Sequence, residues 1–112
     1  MRVGIDIENI SRMSEKLLDK IATQKEREYV NSFADKKPHI ASLWCAKEAV
    51  VKMLDKKDVN FLEIEILHEQ NGRPYVNLTG ATRVEFDFLG LMEIDLSISH
   101  TNDLATAIVI GQ

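Results

Sequence analysis

An α+β domain is predicted by three observations: one long apolar helix near the middle of the chain, several segments of apolar–polar alternation, and short polar turns that fold successive alternating segments into antiparallel pairs. Residues 2–7, RVGIDI, alternate Val3, Ile5 and Ile7 against Gly4 and Asp6, as a half-buried strand does, so Asp6 projects from the face opposite the apolar residues. Arg12 to Ile21 is expected to be a short helix. Thr23 with Glu26 three residues on forms a capping-box pair and opens a second helix running to about Phe33.

Pro38 suits a first helical turn, and the polar cluster Asp55–Asp58 closes the long helix that follows. Leu43, Ala46, Val50 and Leu54 line its apolar side, while Trp44, Glu48 and Lys52, spaced by four, stack on a neighbouring side. FLEIEIL then alternates Leu62, Ile64 and Ile66 against Glu63 and Glu65, Asn71-Gly72 supplies a turn, and PYVNL returns, which predicts a hairpin. A helix over Gly80–Leu89, a strand EIDLSISH, a tight turn at Thr101–Asp103 and a closing strand LATAIVI complete the chain. The picture is a small antiparallel sheet packed against a long central helix.

At 112 residues and 45% hydrophobic, the chain can build one core but not two, so residues 1–112 are expected to form a single domain. Charges of both signs with a formal net charge of −4 leave no basic field to recruit nucleic acid or a membrane surface. Any anionic ligand must be met by local charges. The lone Cys45 excludes an internal disulfide and a multi-cysteine zinc site. With no leader pattern and no membrane-length apolar run, a cytoplasmic location is expected.

Three polar elements stand out: Asp6, the pair Glu48 and Lys52, and Ser99-His100. Each has an ordinary explanation taken singly. Asp6 could face solvent on an edge strand, Glu48 and Lys52 could be a surface pair worth about 0.3–0.5 kcal/mol, and His100 could be a satisfied histidine ending a strand. Yet Glu48 lies between Trp44, Cys45 and Ala46 on one side and Ala49, Val50 and Val51 on the other, which leaves little room for a solvated face. A half-buried carboxylate there calls for a cation. Asp6 and Glu48 are a hard-oxygen pair suited to Mg²⁺, which keeps several waters and fills its other positions with substrate phosphates. Lys52 can neutralise a further phosphate oxygen, so pyrophosphate chemistry is expected.

The blocks GIDIENISRM, WCAKEAVVK, NGRPYV and SISHTNDLATAIVI, in that order between residues 4 and 110, resemble the small holo-acyl-carrier-protein synthases, the short single-domain branch of the 4′-phosphopantetheinyl transferases. The resemblance implies transfer of the phosphopantetheine arm of coenzyme A to a serine of apo acyl carrier protein, with release of adenosine 3′,5′-bisphosphate, in fatty-acid biosynthesis. It implies Asp6 and Glu48 as Mg²⁺ ligands and Lys52 as a phosphate contact, with Lys47 in the same motif, and Ser99 and His100 at the nucleotide site. Arg12, Met13 and Lys20, with Lys16 and Leu17, would meet the carrier protein. A homotrimer with sites shared between subunits would be the assembly.

The chain departs from that pattern in three places. KMLDKKDVNF has no glycine where relatives carry a Gly-Thr-Gly-like loop after the long helix, so Lys56 and Lys57 would have to compensate there. Leu43 stands where an arginine is frequent, and Glu15 and Asp19 dilute the basic first helix. These departures keep two other readings in view: a non-catalytic relative that binds carrier protein or coenzyme A without turnover, and a plain structural domain.

Overall fold

The computed structural model describes Met1–Gln112. β1 (Arg2–Asn9) leads through a short 3₁₀ turn at Ile10–Arg12 into α1 (Glu15–Ile21), α2 (Gln24–Asn31) and the long α3 (Lys37–Leu54). After a second 3₁₀ turn at Phe61–Glu63 come β2 (Ile64–His68), β3 (Pro74–Leu78), α4 (Gly80–Phe88), β4 (Ile94–His100) and β5 (Leu104–Gly111). Two antiparallel sheets result, one of three strands in the order β1-β5-β4 and one the β2-β3 hairpin. α3 packs across β1 and β5, and 24 buried apolar residues form a single cluster around it.

Local chemistry accounts for the boundaries. The helix expected over Arg12–Ile21 is split: Met13 and Ser14 are extended, and Ser14 caps α1 by accepting from Leu17 N–H. The Thr23–Glu26 capping box opens α2 as expected. Pro38 lies in the first turn of α3, whose last turn closes on Asp55 at φ 53°, the left-handed cap position commonly taken by glycine. The missing glycine therefore does not prevent the chain from turning there. Leu62 is exposed and outside β2, because Phe61–Glu63 winds into a 3₁₀ turn that lets the Glu63 carboxylate accept from Ala81 N, Thr82 N and Thr82 Oγ1 at the start of α4.

β1 alternates as expected, but its faces are used the other way round. Val3, Ile5 and Ile7 are 54–61% exposed, and the face of Gly4 and Asp6 lies against α3. A Cβ on Gly4 would collide with the Ala49 carbonyl oxygen and come within 2.7 Å of Met53 N. The strand can approach the helix this closely only through glycine. Close approach is what carries Asp6, two residues on, down to the surface of α3.

Candidate active site

On the inner face of the three-stranded sheet Asp6 pairs with Ala107 and Glu8 with Ala105, so these two carboxylates stand side by side at a spacing of two residues. Small residues on β5 leave them room. Opposite them, Glu48 and Lys52 occupy successive turns of α3. Lys52 Nζ donates to Asp6 Oδ1 at 3.0 Å, whereas Asp6 Oδ2 is buried and has no partner at all.

Three carboxylates therefore face one ammonium, and the imbalance is visible in their proton affinities. Burial, and then the Asp6 carboxylate beside it, push Glu8 from the ordinary 4.5 up to about 7. Burial first and Asp6 second also hold Glu48 above the usual carboxylate range, with Lys52 acting in the opposite sense. The hydrogen bond to Asp6 raises Lys52, which stays charged. Cys45, at the same junction, is no nucleophile: burial and the neighbouring Asp6 and Glu8 push its thiol to about 12, and it donates to the Ala105 carbonyl at 3.2 Å.

These residues fit Mg²⁺. An orphaned, buried carboxylate oxygen and surplus negative charge are what a divalent cation would satisfy. No set of three or more His, Cys, Asp or Glu donors closes into a cage, and an open site built on one or two carboxylates is how Mg²⁺ is commonly held, leaving positions for water and phosphate.

Other expected site residues fall elsewhere. Lys47 is corrected from a cofactor contact to an interior residue: its ammonium is fully buried and donates to Ile21 O at 2.6 Å, Glu26 Oε1 at 2.7 Å and Phe61 O at 2.8 Å, so all three N–H groups are used within the chain. Met13 is likewise corrected from a docking contact, since it is 5% exposed and lies in the core; Arg12 and Lys20 are exposed. Ser99 pairs with Thr106 on the outer face of the sheet, away from Asp6, while His100 pairs with Ala105 on the inner face. Glu8, Ala105 and His100 thus form one row, with Glu8 and His100 two strand spacings, about 10 Å, apart. Leu43, in place of a cation, is buried, and Lys56 is engaged with Glu85 at 3.6 Å.

Glu8 escaped the sequence reading, although its signal was the same period of two that placed Asp6. His39 and His68 also escaped it. They line a cavity with His100, and nothing in their local sequence brings the three together.

The sequence pattern of the 4′-phosphopantetheinyl transferase superfamily matches residues 2–109. The holo-acyl-carrier-protein synthase of Caldanaerobacter subterraneus subsp. tengcongensis is 37% identical, covering 97% of this chain and 92% of its own length. That of Thermoanaerobacter sp. strain X514 is 40% identical, over 97% of this chain and 86% of its own. Among solved structures, the Helicobacter pylori holo-acyl-carrier-protein synthase in complex with coenzyme A superposes with a TM-score of 0.84 at 28% identity, covering 98% of this chain and 99% of that one. With one fold, four sequence blocks in order and matches spanning nearly the whole length, the chain belongs to the 4′-phosphopantetheinyl transferase superfamily, in the branch of the holo-acyl-carrier-protein synthases.

Proposed function

We propose that this protein transfers the 4′-phosphopantetheine group of coenzyme A to a serine of apo acyl carrier protein, with Mg²⁺ as cofactor and adenosine 3′,5′-bisphosphate as the second product. The observation that carries this reading is the junction of β1 and α3, where Asp6, Glu8 and Glu48 face Lys52 and Asp6 Oδ2 has no partner.

Asp6 and Glu48 would hold the cation, which when bound neutralises the pyrophosphate and makes its phosphorus the more electrophilic. Lys52, 54% exposed along its side chain, can swing from Asp6 to a phosphate oxygen. There it would stabilise charge building on the leaving bisphosphate. The serine hydroxyl attacks the phosphorus that carries the pantetheine arm, the bond from that phosphorus to the bridging oxygen breaks, and the serine proton passes to a carboxylate of the cluster. Glu8, pushed up to about 7, is suited to accept a proton near neutrality, and burial and Asp6 raise Glu48 in the same direction. No covalent intermediate on the protein is required.

The outer sheet face supports assembly as a homotrimer. Val3, Ile5, Ile7, Leu104 and Ile108 are 39–61% exposed, and the register sets Ile5 beside Ile108. A continuous apolar sheet face of this kind marks an interaction surface. Arg12 and Lys20 would meet an acidic carrier protein.

The test is mass spectrometry of apo acyl carrier protein incubated with the protein, coenzyme A and Mg²⁺. A gain of one phosphopantetheine arm that vanishes without the metal is expected. No gain with any carrier, while a known transferase succeeds alongside, would leave a coenzyme A or carrier-binding relative without turnover.

A further inference from the structure

α4 belongs to neither sheet and has two unlike faces. Thr82 and Phe86 are buried, and the helix rests on the 3₁₀ turn at Phe61–Glu63. The opposite face is apolar as well. Ala81, Val84 and Phe88 follow one another at intervals of three and four residues, the spacing of a seam between two helices. Val84 is 67% exposed, Phe88 is 83% exposed, and Met92, just past the helix end, is 86% exposed. A single exposed apolar residue is ordinary, but a helical stripe of them is what a protein contact uses. This stripe lies on a different element from the outer sheet face of Val3, Ile5 and Ile108.

The charges beside the stripe select its occupant. Arg83 and Asp87 lie one turn apart along the same flank, where Arg83 Nε donates to Asp87 Oδ1 at 3.0 Å. The guanidinium also lies over the Phe86 ring, 5.7 Å from its centroid, which fixes where it sits. When two helices pack antiparallel about a two-fold axis, each flank meets its own copy in reverse order. Val84 then faces the second copy's Phe88, and Arg83 faces the second copy's Asp87, with both contacts repeated by the symmetry. Parallel pairing would instead set arginine against arginine and aspartate against aspartate. On the far flank Glu85 is already paired with Lys56, at 3.6 Å. Opposite charges alternating along one flank give no net field for an acidic protein or an anionic membrane, but they complement themselves when reversed.

We propose that the α4 stripe is an isologous contact at which a second copy of this chain docks, helix against antiparallel helix, with Val84 and Phe88 in the seam and reciprocal Arg83–Asp87 pairs along its edge. Side chains so few bury less than the about 800 Å² per partner of a standard interface, so between single copies the contact is weak and depends on concentration. Where the outer sheet face builds a homotrimer, each subunit carries its own stripe, and simultaneous engagement strengthens the contact by avidity.

The test is sedimentation velocity with native mass spectrometry of the full chain, from about 1 µM to about 1 mM. Whatever unit exists at low concentration, monomer or trimer, its mass should double as concentration rises, so the homotrimer reading and this one fail separately. Phe88→Gln should weaken the doubling by about tenfold or more. Arg83→Asp alone and Asp87→Arg alone set like charges against each other across the axis, and each should abolish the doubling. An equimolar mixture of those two variants should restore it. Circular dichroism checks that every variant is folded. A unit that keeps its mass at all concentrations overturns the proposal, as does doubling that survives Phe88→Gln or a mixture of folded charge variants that stays apart. Co-sedimentation of the wild-type chain with phosphatidylglycerol vesicles, or with apo acyl carrier protein, that Phe88→Gln abolishes would overturn it too, giving the stripe to a membrane or to the carrier.

Discussion

α3 carries two lysine–carboxylate pairs about one turn apart, and they are opposites. Lys47 and Glu26 are buried to within 1% and saturated: three acceptors for the ammonium, and partners on both carboxylate oxygens from Lys47, Thr23 N and Ile66 N. Lys52 and Asp6 share one hydrogen bond, with the lysine half in solvent, Asp6 Oδ2 unpartnered, and Glu8 and Glu48 adding uncompensated charge. A saturated pair has no valence left for a ligand, so the first joins α2, α3 and β2. The second is left incomplete by the chain and can be completed by a cation and a phosphate. On the transferase reading proposed above, the KEAVVK motif thus places one structural lysine and one functional lysine on the same helix.

Substitutions should separate the two pairs. Lys47→Ala leaves Glu26 charged and buried without its cation, which costs about 3–5 kcal/mol of stability, read as a lowered urea midpoint. Adding Glu26→Gln should recover part of that loss, and a double variant no better than the single would show that Lys47 acts through packing alone. At the open pair, Glu48→Gln should cut carrier-protein turnover by about 10²–10³-fold with no loss of thermal stability, since the charge it removes is disfavoured by burial and by Asp6. Turnover unaffected at saturating Mg²⁺ would remove Glu48 from the site.

Lys52→Ala should reduce turnover by roughly ten- to a hundredfold and lower the stability of the metal-free protein less than Lys47→Ala does, because Lys52 is half in solvent although the Asp6 it leaves is buried. Normal kinetics would make Lys52 as structural as Lys47. The smallest effect is a pH dependence of the metal-free protein. Glu8 binds its proton more tightly folded, at about 7, than at the ordinary 4.5, so its contribution is fully present below 4.5 and is lost as pH rises through 7. The melting temperature should therefore fall across that window, and both Glu8→Gln and Mg²⁺ should flatten the decline. A wild-type curve already flat without metal would mean that neither burial nor the neighbouring Asp6 raises the proton affinity of Glu8.

Much of this was legible in local sequence. The long helix, the hairpin at Asn71-Gly72, the capping box at Thr23 and the closing strand pair all follow from short-range periodicity and turn chemistry, which act within a few residues. Asp6, Glu48 and Lys52 could be picked out because two of them share a helical face and the third is the acidic residue on the polar side of an apolar alternation. The errors have a common cause. Lys47 was read as a cofactor contact in the same motif as Lys52, yet its acceptors come from residues 21, 26 and 61. No local pattern announces them.

The sequence by itself determined the elements, their order, the alternation of β1 and the residue types able to hold a cation and a phosphate, because these depend on neighbours along the chain. Only the tertiary structure decided which face of β1 is buried, which lysine is interior, and that His39, His68 and His100 share a cavity. Alternation defines two faces without ranking them. The ranking came from Gly4, whose missing side chain lets α3 settle on the polar face, draws Asp6 to Lys52, and leaves Val3, Ile5 and Ile7 facing outward.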